Sequence, residues 1–168
     1  MKLKLIGKFI FYFFGTFLHE LSHYAAAFFM GKPEGFSLIP KIEGGSFIFG
    51  SVSYRVRYKV LSSFIASAPL LWWVVLVLML LYFKLMQISG WIPHFNYSLI
   101  WQRLKSFSLS DAVFIWLFIQ LLWAGRLSSK DIKNFFSGFF SVSGLVLIAI
   151  TALSIYFLNT FPGNELMP

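Results

Sequence analysis

The sequence predicts a mainly α-helical membrane domain, with four transmembrane helices and a membrane-associated β-hairpin between the first and the second. Apolar residues make up 58% of the 168 residues, charged residues only 12%, and mean hydropathy is +0.77. Soluble domains contain about 45–50% apolar and about 25% charged residues. This composition therefore argues against a soluble enzyme, and the absence of cysteine argues against a disulfide-stapled secreted module.

Four apolar segments approach the length of about 20 residues that a helix needs to cross the hydrocarbon core. We expect transmembrane helices at about residues 5–30, 61–86, 109–127 and 135–161 of a single domain spanning residues 1–168. The N-terminal lysines and the following apolar run also suit a cleaved signal peptide. Three ionisable residues inside that run favour a retained helix.

The segment between the first two predicted helices changes its period. Residues 51–59 alternate polar and apolar side chains, as a strand with one wet face does. Shorter strand candidates lie upstream, with Pro40 ending one of them and Gly44-Gly45 supplying a turn. We therefore expect a β-hairpin within residues 36–59. Aromatic residues further along the chain predict a short interfacial helix at about residues 96–107.

An HExxH motif, His19 to His23, lies inside the first predicted helix. Residues four apart on a helix lie one turn apart on the same face, so both imidazoles can reach one Zn²⁺ ion. Glu20 lies beside that face, where it can act as the general base for a water molecule on the metal. The alternative is a pair of hydrogen-bonded packing histidines. Three ionisable residues within five positions of a membrane helix are costly, and this favours the metal site.

A catalytic zinc site needs a third protein ligand. Asp131 follows the third predicted helix on the same side as the end of the first, and we expect it to be that ligand. Asp111 lies at the opposite side. Both aspartates also fit a helix-capping box, Ser108-x-x-Asp111 and Ser128-x-x-Asp131. For Asp111 the cap is the preferred interpretation, and for Asp131 it is the alternative.

With these motifs in order, nearly the whole chain resembles the site-2 protease family of intramembrane zinc metalloproteases. Members combine an HExxH helix, a membrane-associated hairpin, a helix that opens with an Ala-Gly-Pro-like segment, and a later aspartate ligand. Here Ile65-Ala-Ser-Ala-Pro69 is similar to the Ala-Gly-Pro segment, and Leu127-Ser-Ser-Lys-Asp131 to the aspartate region. The resemblance implies hydrolysis of peptide bonds in or near transmembrane segments of membrane proteins, with Gln120 hydrogen-bonding substrate. Gln120 also suits a helix–helix contact.

Two other functions stay open at this point: a non-catalytic zinc-stabilised membrane scaffold or binding protein, and a metal or proton carrier. The net charge of +8 is scattered between apolar blocks, so the expected partners are anionic lipids and a membrane-protein substrate rather than nucleic acid. With four spans, basic residues number eight on the active-site side and six on the other. This count favours an active site that faces the cytoplasm, whereas the three N-terminal lysines favour the opposite orientation. The resemblance to site-2 proteases implies the cytoplasmic orientation, and we therefore expect a multi-pass plasma-membrane protein whose active site faces the cytoplasm.

Overall fold

The computed structural model describes the backbone of residues 2–39, 41–43, 46–48 and 50–160, and the side chains of residues 7, 11–39, 50–157 and 159. Within these residues it contains α-helices, one short 3-10 helix and three two-stranded antiparallel sheets. In chain order the elements are α1 (Lys2–Met30), β1 (Lys32–Ser37), β2 (Lys41–Glu43), β3 (Ser46–Ile48), β4 (Ser51–Arg55), α2 (Leu61–Ser67), the 3-10 helix (Ala68–Leu70), α3 (Leu71–Tyr82), β5 (Met86–Ser89), β6 (Ile92–Phe95), α4 (Tyr97–Lys105), α5 (Leu109–Ala124), α6 (Ser129–Phe139) and α7 (Val142–Thr160).

The prediction of four transmembrane helices is wrong. In the described part of the chain one helix is long and apolar enough to cross a membrane, Leu61–Tyr82, which joins α2, the 3-10 helix and α3. A second candidate arises only if α5 and α6, which are bent by 45° to one another, count as one span. Helix α1 is continuous over 29 residues, but its polar residues break up the apolar run, and it is not among the candidate spans. The described apolar part of α7, Val142–Phe157, is too short. The predicted orientation rests on counting basic residues on the two sides of a four-helix topology, and it stays a prediction.

The predicted fourth span is divided by a helix boundary at Phe140 and Ser141. The Ser141 hydroxyl accepts a hydrogen bond from the Gly144 backbone N–H at 3.3 Å, which caps the start of α7. Gly144 lies so close to the Phe139 carbonyl that a Cβ atom would not fit there. Helix α6 therefore ends at Phe139, and a new helix starts in what the sequence presents as one apolar run.

An antiparallel hairpin lies between α1 and α2, where the sequence predicts one. β1 pairs with β4, and β2 pairs with β3 further out. The expected turn at Gly44-Gly45 and the expected strand end at Pro40 lie outside the described residues. β4 ends at Arg55, earlier than expected, because the carbonyl groups of Tyr58 and Lys59 already accept the first backbone hydrogen bonds of α2. The hairpin's association with a membrane stays a prediction.

A second hairpin, β5 with β6, precedes α4 and was not predicted. Gly90, with a φ of 64°, provides the left-handed residue in its two-residue turn. The predicted short helix follows as α4, and Asn96 caps it by accepting a hydrogen bond from the Leu99 N–H at 3.2 Å.

Large apolar side chains cover much of the surface of the described residues. Most large apolar side chains of the described residues are exposed, including those along α3 and α7. The interior, where α1, α2, α5 and α6 meet, contains polar residues beside a few apolar ones such as Ile65 and Ala124. The buried polar or charged residues are Thr16, Glu20, His23, Ser63, Gln120 and Asp131.

Candidate metal centre

The HExxH residues lie in the last three turns of α1, and the two histidines face the same way. The Nε2 atoms of His19 and His23 are 3.2 Å apart. This is the result expected of residues one helical turn apart. Both imidazoles point toward α6, so the centre is built between the first helix and the sixth.

Asp131 reaches this pair because α6 turns away from α5 by 45° after a short break. Its Oδ1 lies 3.2 Å from His23 Nε2, and its Oδ2 lies 3.4 Å from His19 Nε2. The same Oδ2 accepts hydrogen bonds from the Ser128 N–H at 2.8 Å and from the Ser128 hydroxyl at 2.6 Å. The carboxylate therefore caps α6 and faces the histidines at once. The cap at Asp131, which was the alternative interpretation, is therefore present, and it leaves the carboxylate beside the two histidines.

Main-chain oxygens fix the tautomer of each histidine. His19 Nδ1 donates to the Ala124 carbonyl at 2.9 Å, and His23 Nδ1 donates to the Ile65 carbonyl at 2.8 Å. A carbonyl oxygen only accepts, so each neutral ring carries its proton on Nδ1 and turns the lone pair of Nε2 toward the other histidine and Asp131. Metal-binding histidines are held in this way by hydrogen bonds on their outer nitrogen.

The three donors fit one cation. At metal–ligand distances of about 2.0 Å, the ligand atoms of a tetrahedral site lie about 3.3 Å from one another. The two Nε2 atoms are 3.2 Å apart, which matches that spacing, whereas the two histidines approach different oxygens of Asp131; with one ligand atom taken from each residue, the three atoms lie within 4.8 Å of one another. A single proton would bridge one pair of these lone-pair atoms, whereas a metal ion bonds to all three. His19, His23 and Asp131 therefore form a group that could hold a metal ion.

Glu20 lies next to this group and is buried, with 7% of its surface exposed. Its carboxylate interacts electrostatically with both imidazoles, with Asp131 and with Lys130. The hairpin covers it from the other side, because the backbone of Gly50 lies against the Glu20 side chain. Glu20 thus lies within electrostatic range of the group and is not one of its three donors.

Tyr54, on β4, is a residue of the centre that sequence reasoning missed. Its phenol lies within electrostatic range of Asp131 and hydrogen-bonds to Asn134. Burial, with a further contribution from the Asp131 carboxylate, raises the pKa of Tyr54, so the phenol stays protonated and keeps a proton to donate. Tyr54 belongs to the alternating segment, but alternation alone does not indicate which side chains face a site.

Gln120 is fully buried and makes a helix–helix contact. Its Nε2 donates to the Phe11 carbonyl at 2.9 Å, and its Oε1 accepts from the Gly15 N–H at 2.8 Å. The Gly15 N–H and the Phe11 carbonyl are four residues apart on α1, the spacing of a backbone hydrogen bond in an α-helix, and the Gln120 amide bonds to both groups. A Cβ atom on Gly15 would lie 2.7 Å from the Gln120 carbonyl oxygen. The structure thus shows the helix–helix contact of Gln120, and its hydrogen bond to a substrate stays a prediction.

The remaining acids and the third histidine lie elsewhere. Asp111 completes a capping box with Ser108 and pairs with Arg103 at 3.2 Å, as the preferred interpretation expected. Glu34 lies in β1 and pairs with Arg55 at 3.1 Å. His94 lies in β6 and is exposed. Glu43 is a strand residue whose side chain is not described, and Glu165 lies outside the described residues.

Comparison with protein-family models, with curated protein sequences and with solved structures found no match to this chain. The centre is therefore interpreted from its own geometry.

Proposed function

We propose that the protein is a zinc metallopeptidase similar to site-2 proteases, which hydrolyses peptide bonds in or near the membrane segments of other proteins. The convergence of His19, His23 and Asp131, with both Nε2 lone pairs directed inward, carries this proposal. Two imidazoles and one carboxylate, with a fourth position left for water, are a ligand set of catalytic zinc. A glutamate one residue after the first histidine completes the arrangement of a metallopeptidase.

Zinc held by these three residues would lower the pKa of a water molecule from 15.7 toward about 7 and polarise the carbonyl of a peptide bond. The Glu20 carboxylate accepts a proton from the attacking water as its oxygen bonds to the carbonyl carbon. Glu20 then delivers that proton to the amide nitrogen as the C–N bond breaks.

A membrane location is part of the proposal, and the many exposed apolar side chains support it. Exposed apolar surface on this scale is stable in contact with lipid rather than water. Leu61–Tyr82 provides a helix that can cross the bilayer. The Ile65 carbonyl that orients His23 belongs to this helix, so the proposed reaction centre is built against the membrane-spanning element.

The hairpin has two possible uses, and the geometry is compatible with both. β1 and β4 form a two-stranded sheet, whose outer edges carry no further strand among the described residues. An unwound substrate segment would add to such an edge through main-chain hydrogen bonds. The hairpin equally covers Glu20 through Gly50. Opening of this cover would then precede substrate entry.

The test compares a Glu20→Gln variant with a Glu34→Gln control. Both changes replace a carboxylate by an amide, but Glu34 lies on the hairpin and pairs with Arg55. In cells that express each protein, new N-termini within membrane proteins are counted by mass spectrometry, and zinc content is measured on the purified proteins. We expect Glu20→Gln to retain zinc and lose the new N-termini, and Glu34→Gln to retain both. Cleavage by the Glu20→Gln variant would refute the mechanism.

A zinc-stabilised membrane scaffold is the second candidate, and the burial of the centre favours it. Glu20, His23 and Asp131 expose 7, 5 and 7% of their surfaces, which also suits a metal that only holds helices together. A scaffold needs the three ligands but not Glu20. Retention of every cellular function of the protein in the Glu20→Gln variant would therefore favour the scaffold.

A further inference from the structure

Gly50 immediately precedes β4, is buried, and lies against the side chain of the proposed base. A Cβ atom built on Gly50 would lie 2.7 Å from Glu20 Cγ, 3.1 Å from its Cδ and 3.0 Å from its Oε1. The three nearest atoms all belong to that one side chain. The hairpin therefore contacts Glu20, the proposed base, through the main chain of Gly50.

Backbone conformation does not account for glycine at this position. Among the described glycines only Gly90 has a positive φ, the region in which other residues are strained. Gly50 is not among the glycines with a φ in this region. The close approach to Glu20 is what excludes a side chain here.

We infer that Gly50 is a positioning residue, whose missing side chain leaves the space that the Glu20 carboxylate occupies beside His19, His23 and Asp131. This inference rests on the proposed function for its catalytic consequence. Nonbonded carbon atoms lie about 3.5 Å or more apart, so an added methyl group would displace Glu20 Cγ by about 0.8 Å. A displacement of this size at a reacting group costs about 100-fold in rate.

The activity experiment compares Gly50→Ala with Gly35→Ala, a methyl addition in the same hairpin. The new Cβ at residue 35 would meet only the Ser53 hydroxyl, which can rotate away. For Gly50→Ala we expect unchanged zinc content, an unchanged KM and a kcat about 100-fold lower. Gly35→Ala should keep the wild-type kcat. An unchanged kcat in Gly50→Ala would overturn the inference.

A stability experiment tests the contact without relying on catalysis. The apparent Tm of the zinc-loaded, detergent-solubilised protein is measured for Gly50→Ala in the wild-type and in a Glu20→Ala background. The clash should lower Tm by about 3 °C in the wild-type background. In the Glu20→Ala background the clashing atoms are gone, so the methyl group should leave Tm unchanged or raise it.

The two experiments fail separately. Equal losses of Tm in both backgrounds would overturn the inference, because the methyl group would then clash with something other than Glu20. If the wild-type protein cleaves nothing, the proposed function fails, and the Tm comparison still decides whether Gly50 fixes the position of Glu20.

Discussion

An asparagine at position 131 would separate the two roles of the Asp131 carboxylate. The amide oxygen of asparagine can still accept the hydrogen bonds from the Ser128 N–H and hydroxyl, so α6 keeps its cap. The negatively charged ligand that faces His19 and His23 is lost. We therefore expect Asp131→Asn to lose metal affinity with little change in the stability of the metal-free protein.

The chain contains its own control, because Asp111 occupies the same position in an equivalent capping box. Replacement of groups that only orient a ligand typically weakens metal binding 10–100-fold, so loss of a direct ligand should cost at least about 100-fold, or about 2.7 kcal/mol. Asp111→Asn changes a cap and an ion pair with Arg103 that lie away from the histidines, and it should leave zinc affinity unchanged.

Zinc affinity is measured by competition with a chromophoric chelator, and the apparent Tm is measured with and without zinc. A ligand that binds only the folded state raises its stability by RT ln(1 + [L]/Kd). Zinc should raise the Tm of the wild type and of Asp111→Asn but not that of Asp131→Asn. Equal zinc affinities of wild type and Asp131→Asn, or a loss confined to Asp111→Asn, would refute the assignment of the third ligand.

Three further outcomes are expected. Gln120→Leu should lower the free energy of unfolding by about 2 kcal/mol, because the two hydrogen bonds of Gln120 to α1 are lost. Gln102→Leu, on exposed α4, should change the free energy of unfolding little. Equal effects of the two changes in denaturant titrations would contradict the stabilising role of Gln120. Hydrogen bonds from Ser108, and then the Arg103 guanidinium, lower the pKa of Asp111. Its cap therefore contributes stability above about pH 4 that disappears as pH falls through the lowered pKa, and Asp111→Asn should flatten this acid-side loss in pH-dependent unfolding. Removal of metal with a chelator should lower the wild-type Tm, and added zinc should restore it. A Tm that changes with neither chelator nor zinc would count against the metal site.

Local sequence patterns predicted the parts of the site that depend on one element. The spacing of His19 and His23 determines their common face, and Ser128-x-x-Asp131 determines the start of α6. The number of transmembrane helices was overestimated because hydropathy is averaged over a window and does not show where a helix ends. The boundary at Phe140 and Ser141 depends on one serine cap and one close glycine contact inside a phenylalanine-rich run.

The sequence predicted one approach between distant elements, that of Asp131 to His19 and His23, but not the other long-range contacts of the site. Gly50 is one of 12 glycines, and only the packing of the hairpin on α1 distinguishes it. Gln120 was correctly recognised as unusual in an apolar helix. Its partners, however, are backbone groups of α1 about a hundred residues earlier, and backbone groups carry no residue-specific signal. Tyr54 is likewise brought near Asp131 only by the register of β4 with β1.

The acceptors that orient the two histidines are main-chain oxygens, those of Ala124 and Ile65. Every residue type supplies this oxygen, so no single substitution at position 124 or 65 can delete the acceptor itself. The side chains there are free to vary within the limits of packing, while the imidazoles keep their tautomer. In contrast, the Ser128 hydroxyl that holds Asp131 is lost with one codon change. Across divergent relatives we therefore expect little constraint on residue identity behind the histidines and a strong preference for serine or threonine at position 128.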